Sequence, residues 1–276
     1  MSQNIHENVT RLADGYIDQA VTQLQAPLLD EDAVHNVRVA TKQLRGLVRL
    51  YRKSKADPSQ DEAAIRINAV LRDIAKVFSS QRDAHVLEQT LQQVARRSDK
   101  ATARQLMSIR DEILWQTANA LPDMTPARLI EQLELVRALW HSTLVRKDDA
   151  MFDALERLYR RSRRDGWQAL NSRDVHLLHQ WRKRVKYLYY QLSAWPGATD
   201  WRSSQLESLR LLGSLLGKVH DLDVLNDYLQ EGGQDAVPLL RQVHKRRVRM
   251  VKKIRRLYSR AFVHTKKDFR RKMQAP

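Results

Sequence analysis

The chain of 276 residues contains no cysteine, so disulfide staples, thiolate catalysis and cysteine-ligated zinc are all excluded. It is also poor in turn formers, with eight Gly and seven Pro, while Leu, Arg, Ala, Gln and Lys dominate. That balance favours long helices over strands. No early apolar run follows a basic start, and no stretch approaches the roughly 20 apolar residues of a membrane span. A cytoplasmic protein with no membrane partner is expected. Gly-rich phosphate loops, a GxSxG elbow and an ExExK run are absent as well, which removes the usual sequence marks of nucleotide, esterase and triphosphate-tunnel chemistry.

Acidic charge is scarce in one region. Of the 49 Lys and Arg, 15 fall from Leu239 onward together with one of the 32 acidic residues, leaving 34 against 31 elsewhere. Nearly all of the net charge of +17 is therefore C-terminal. A polyanionic partner is implied, and the placement of cations matters more than their number.

The stretch from Val34 to Arg52 carries two stripes at helical spacing. Val34, Val37, Thr41, Leu44, Val48 and Tyr51 form a candidate buried face, and His35, Arg38, Lys42, Arg45, Arg49 and Arg52 follow roughly 100° round the axis. The second stripe is wholly basic. The plan recurs 144 positions later, with Leu178, Trp181, Val185, Leu188, Leu192 and Trp195 as the apolar row. His179, Arg182 and Lys186 repeat the basic one, with Lys183 beside it and Tyr189 in place of the fourth cation. A second match, 71–87 on 209–225, runs without a gap at a spacing of 138, so the connection is six residues shorter in the second half. An internal duplication of helical units explains both.

Capping and breaking residues predict helices over about 5–25, 34–52, 61–78, 83–98, 101–121, 127–145, 149–170, 174–195, 203–219 and 221–230, and a last one from Pro238 past Phe262. Asp30 or Asp32 would cap the first basic helix, and Thr125 with Pro126 the one after the PDMTP break at 122–126. Lys55 to Ser59 and Gly232-Gly233 read as further breaks, and the charges beyond Lys266 as a frayed tail. The chain is expected to be all-α, a single domain over 1–276 made of an N-terminal half, 1–121, and a C-terminal half, 126–276.

An exposed helix face is commonly rich in Lys and Arg, but it usually alternates sign so that i,i+4 pairs form. These rows hold no carboxylate, and anion binding is the reading that explains them. Arginine forks bond phosphate oxygens in pairs, lysine adds compact charge, and histidine can donate from either ring nitrogen. Rows of such groups suit a linear chain of phosphates. Arg249, Lys252 and Arg256 of the last helix could complete the site. Asp83 and Asp221, at matching positions, read as N-caps, with orientation of a basic side chain as the alternative. His220-Asp221 has the look of a metal phosphohydrolase core, but the first half has Arg82-Asp83 there, so no shared metal ligand is expected. Trp181, Tyr187, Tyr189 and Tyr190 could stack on bases, although Trp181 belongs to the apolar row.

VHNVRVATKQLR and LHQWRKRVKYLYY, each a histidine followed by cations at heptad spacing, and the RD or HD element after them resemble the signature of the CHAD family, the conserved histidine α-helical domain. The resemblance covers most of the chain. It implies two related helical bundles of long antiparallel helices about a pseudo-twofold axis, with basic helices lining a central groove or cavity. It also implies binding of inorganic polyphosphate through His35, Arg38, Lys42, Arg45, His179, Arg182, Lys183 and Lys186. Gln43, where relatives often have Arg, and Tyr189 depart from the pattern. The expectation is a non-enzymatic polyphosphate binder needing no cofactor or metal, cytoplasmic and associated with polyphosphate granules. Nucleic-acid binding through the same surfaces is the second reading and phosphoanhydride hydrolysis the third.

Overall fold

In the computed structural model, residues 4–27, 29–52, 58–96, 98–117, 124–172, 174–197, 199–231 and 237–274 are described, without the side chains of 79–85, 112–117 and 231. The helices are α1 (Ile5–Leu24), α2 (Glu31–Leu47), α3 (Pro58–Val77), α4 (Ser79–Ala95), α5 (Lys100–Thr117), α6 (Pro126–Thr143), α7 (Asp148–Asn171), α8 (Val175–Ser193), α9 (Asp200–Glu231), α10 (Val237–Ala261) and α11 (Lys266–Gln274). No strand occurs among the described residues, and none of their helices is long and apolar enough to cross a membrane. The fold is all-α, as composition and periodicity require.

Caps set the register of the duplicated helices. The Asp30 side chain accepts from Ala33 N at the start of α2, and Asp174, 144 positions on, accepts from His176 N at the start of α8. Thr125 caps α6, with Pro126 in its first turn. The basic helix tightens after Leu47 into a 3-10 turn over Val48–Tyr51. In the second half α7 and α8 repeat the antiparallel pair α1–α2, α9 covers the stretch shared by α3 and α4, and α10 follows as α5 does.

Three expectations change. The helices expected at 203–219 and 221–230 are one, α9, and Asp221 lies in its interior rather than at a cap. Its first-turn role is unnecessary because the preceding turn already supplies carbonyl acceptors. Gly213 and Gly217 do not break the helix; they clear its surface for α8, since Cβ atoms there would stand 3.7–3.9 Å from Val185, Lys186 and Arg182. Asp83 likewise falls inside α4, which starts at Ser79; its side chain lies outside the described residues. Third, the tail beyond Lys266 is helical. Phe269 is fully buried, stacked on Tyr159 at 4.1 Å, and Arg270 bonds Asp153 and the buried Glu156. The breaks read at Lys55–Asp57, Pro122-Asp123 and Gly232-Gly233 lie outside the described residues.

The large core is shared by α1–α3 and α6–α11, and it contains the expected apolar rows: Val37, Thr41, Leu44, Val48 and Tyr51, then Leu178, Trp181, Val185, Leu188 and Leu192, are buried. Val34 and Trp195 are half-buried against it. A second cluster at one end joins α4 and α5 to the later part of α9 and the start of α10, through Leu91, Leu106, Leu225, Leu239 and Val243.

Much of the arginine serves the fold itself. The last carbonyls of a helix lack internal partners and carry partial negative charge, so a guanidinium satisfies both needs. Arg38 donates to the end of α3, Arg246 to Gln93 and Val94 at the end of α4, and Arg255 to Leu170 at the end of α7. Arg163 donates to Phe262 just past α10, and Arg146 to Leu50 and Arg52 after α2.

Candidate anion-binding site

The two basic helices touch. Gln191 Nε2 donates to Gly46 O at 2.9 Å, the Tyr190 ring lies over Gly46, and the Arg49 guanidinium sits 4.0 Å above the Tyr187 ring centroid. Each basic row, however, is laid along the helix that follows its own. The α2 row meets α3: Arg38 Nη1 donates to Ala75 O at 3.1 Å and Phe78 O at 2.6 Å. Arg45 Nε and Arg49 Nη1 share Asn68 Oδ1 at 3.4 and 3.0 Å. The α8 row meets α9, where Lys186 and Arg182 pass over Gly213 and Gly217.

Arg38, Lys42, Arg45 and Arg49 are half-buried, as are His179, Arg182 and Lys186; His35 and Lys183 are exposed. Cations converge most clearly at the end of the α2 row. Burial lowers the Arg49 pKa, and Arg45 and Arg52 push it the same way, while the Tyr187 phenol works against them. Tyr190 is buried and Tyr187 and Tyr189 are half-buried; burial, then the adjacent Tyr189, pushes the Tyr190 phenol up to about 12, against the pull of Arg182.

Carboxylates absent from the rows arrive from neighbouring helices. Asp61 of α3 pairs with Arg52 at 3.3 Å. On the other side, buried Asp223 of α9 accepts within hydrogen-bond distance from Arg247 Nε and lies 3.1 Å from His179 Nε2. His220 Nδ1 is 3.1 Å from the same His179 nitrogen, so one proton on His179 Nε2 can face both acceptors only when His220 Nδ1 is bare. His220 is thus tied to the basic row. Among the described residues no group of three or more His, Asp or Glu is arranged to hold a metal ion.

The third element of the expected site lies on α10. Arg249, Lys252 and Arg256 are exposed, on a helix that packs against α9, α5 and α7. The α10 cation that reaches the α8–α9 groove is Arg247. It was legible as the charged interruption in the apolar row of Val243, Met250 and Ile254. Asp223 carried no such signal, because the aligned residue of the first half is His85.

The sequence model of the CHAD domain matches residues 11–230, four-fifths of the chain. The chain belongs to the CHAD family. A crystal structure of the CHAD domain from the plant Ricinus communis superposes with a TM-score of 0.57 at 16% identity, covering 93% of this chain and 92% of that one, which establishes a shared CHAD fold. No curated protein matches the chain. The family match ends before α10, so the Arg247 contact and the exposed cations of that helix lie beyond it.

Proposed function

We propose that this CHAD protein binds inorganic polyphosphate along the basic rows of α2 and α8 and performs no chemistry on it. The ligand-binding residues are His35, Arg38, Lys42, Arg45 and Arg49 with His179, Arg182, Lys183 and Lys186, and the place of action is the cytoplasm, where polyphosphate accumulates in granules. The observation that carries this reading is the half-burial of two like-charged rows on touching helices, in the same register 144 residues apart. Half-buried cations held by main-chain carbonyls and Asn68 are preorganised, so binding a polyanion costs little side-chain entropy. A thin polyanion without bases fits rows in which Tyr190 is buried against Gly46 and Tyr187 is covered by the Arg49 guanidinium. Hydrolysis would need a cluster of acidic metal ligands within these cations, and two of the acids beside the rows, Asp61 and Asp223, are each held by arginine.

The test is displacement of labelled polyphosphate by unlabelled polyphosphate, single-stranded RNA and duplex DNA at matched phosphate and several salt concentrations. Polyphosphate should displace best, with affinity falling as salt releases counterions. Lys42→Gln with Lys186→Gln should weaken binding and flatten the salt slope. Displacement by RNA at equal or lower concentration at near-physiological salt would refute the reading.

A further inference from the structure

Beyond the basic rows, one face of the molecule combines features they lack. Trp167 on α7 is 61% exposed, the one exposed tryptophan among the described residues; Trp140 and Trp181 are buried, and Trp195 and Trp201 half-buried. Arg160, Arg163 and Arg164 stand seven, four and three residues before it, on the same side of α7, and all are exposed. Across the contact with α10, Arg255 donates to Leu170 O, one turn from Trp167, and Tyr258 donates from its hydroxyl to Arg163 O at 2.9 Å. Arg255 is exposed, as are Lys252 one turn before it and the adjacent Arg256, so α10 brings cations to the seam that Arg255 makes with the end of α7. The local acid, Asp165, is buried and held by Arg164 and Arg184. Arg160, Lys252 and Arg256 make no hydrogen bond or ion pair among the described residues.

An exposed indole loses nothing structural by being there, and it offers a π-face among cations of which Arg164 alone is paired with a carboxylate on this face. Polyphosphate has no group to use such a face. A nucleic-acid strand has both: a base to stack on the ring and phosphates on either side for the arginines. A duplex hides its base faces, so the strand must be single. A bilayer is the poorer match, because the exposed neighbours of Trp167 on α7 are arginines and the amides Gln168 and Asn171, with no large exposed apolar residue among them. We infer that the α7–α10 seam around Trp167 is a binding surface for single-stranded nucleic acid, separate from the α2 and α8 rows.

The experiment follows fluorescence anisotropy of a labelled 12-nucleotide single-stranded RNA binding to the full chain, alongside labelled polyphosphate measured on its own. Trp167→Ala should weaken RNA binding by about tenfold, the scale of one lost base stack, and leave polyphosphate affinity and the unfolding midpoint unchanged. Trp167→Phe should keep most of the RNA affinity. Arg160→Gln with Lys252→Gln should lower the salt slope for RNA. Unchanged RNA binding by Trp167→Ala overturns the inference, and so does equal loss of RNA and polyphosphate affinity. A Trp167-dependent association with anionic vesicles or with a second copy of the chain, without Trp167-dependent RNA binding, overturns it too. Loss of polyphosphate binding in the wild type would sink the proposed function alone, since the RNA arm depends on other residues.

Discussion

Tyr190 closes directly over Gly46: a Cβ at residue 46 would stand 2.9 Å from Cδ2 and 3.1 Å from Cβ of the tyrosine. The same glycine gives its carbonyl to Gln191. The separation of the two basic helices is thus set by a side chain that is not there, and the rows they carry are spaced by packing rather than by charge.

Gly46→Ala should therefore destabilise the protein. Tyr190 Cβ is fixed by the α8 backbone and cannot swing aside, so overpacking costs about 1–3 kcal/mol. The better helix propensity of Ala returns at most about 1 kcal/mol. Chemical denaturation should show a lower midpoint, and polyphosphate affinity should drop as the helices are forced apart. An unchanged midpoint would mean that α2 and α8 have room between them.

Arg38→Ala should also lower stability, by about 1.5–3 kcal/mol, because a charged donor leaves two main-chain oxygens at the end of α3. Lys183→Ala, at an exposed position beside the α8 row, should stay within about 0.5 kcal/mol of wild type. Urea unfolding of the two variants separates these cases. Equal midpoints would show that Arg38 holds its ligand and not its helix.

Sequence periodicity assigned the faces of α2 and α8 correctly, because burial of Leu44 or Trp181 follows from spacing alone. It also placed Arg38 off the buried face, in the basic stripe. The face was right, and what spacing did not reveal is where the guanidinium ends, since the length of an arginine lets it leave its own helix and cap another. Where a cation ends depends on which helix lies alongside, and that contact joins residues 37 positions apart. The same limit explains Asp223, whose partners come from α8 and α10. The α11 tail was misread because a high density of Lys and Arg masks its two anchors, Phe269 and Met273, which stand four residues apart on one face.

Phe269→Ala tests that tail. The ring is fully buried and stacked on Tyr159, whose own hydroxyl donates to His264 O at 3.0 Å. Truncating a buried Phe typically costs about 3–5 kcal/mol, so thermal unfolding should shift strongly downward and limited proteolysis should open at Lys266 and Lys267. A frayed tail would show neither effect.

His6 gives a pH dependence whose sign follows from its surroundings. Its Nδ1 lies 2.8 Å from the Tyr51 hydroxyl, which burial keeps protonated far above neutral pH, and burial lowers the His6 pKa below the ordinary value. Asp148 and Glu7 pull it upward, His141 downward, and desolvation prevails. The folded state thus binds a proton at His6 less readily than the unfolded chain, whose histidine titrates near about 6.5. As pH falls through that value the unfolded state takes up the proton first, so stability drops; above it the term vanishes. Thermal unfolding of wild type and His6→Gln at pH 8 and pH 5 should show the wild type losing more stability between the two, with the other histidines cancelling in the comparison. Parallel losses would place His6 in a site as well solvated as the unfolded chain.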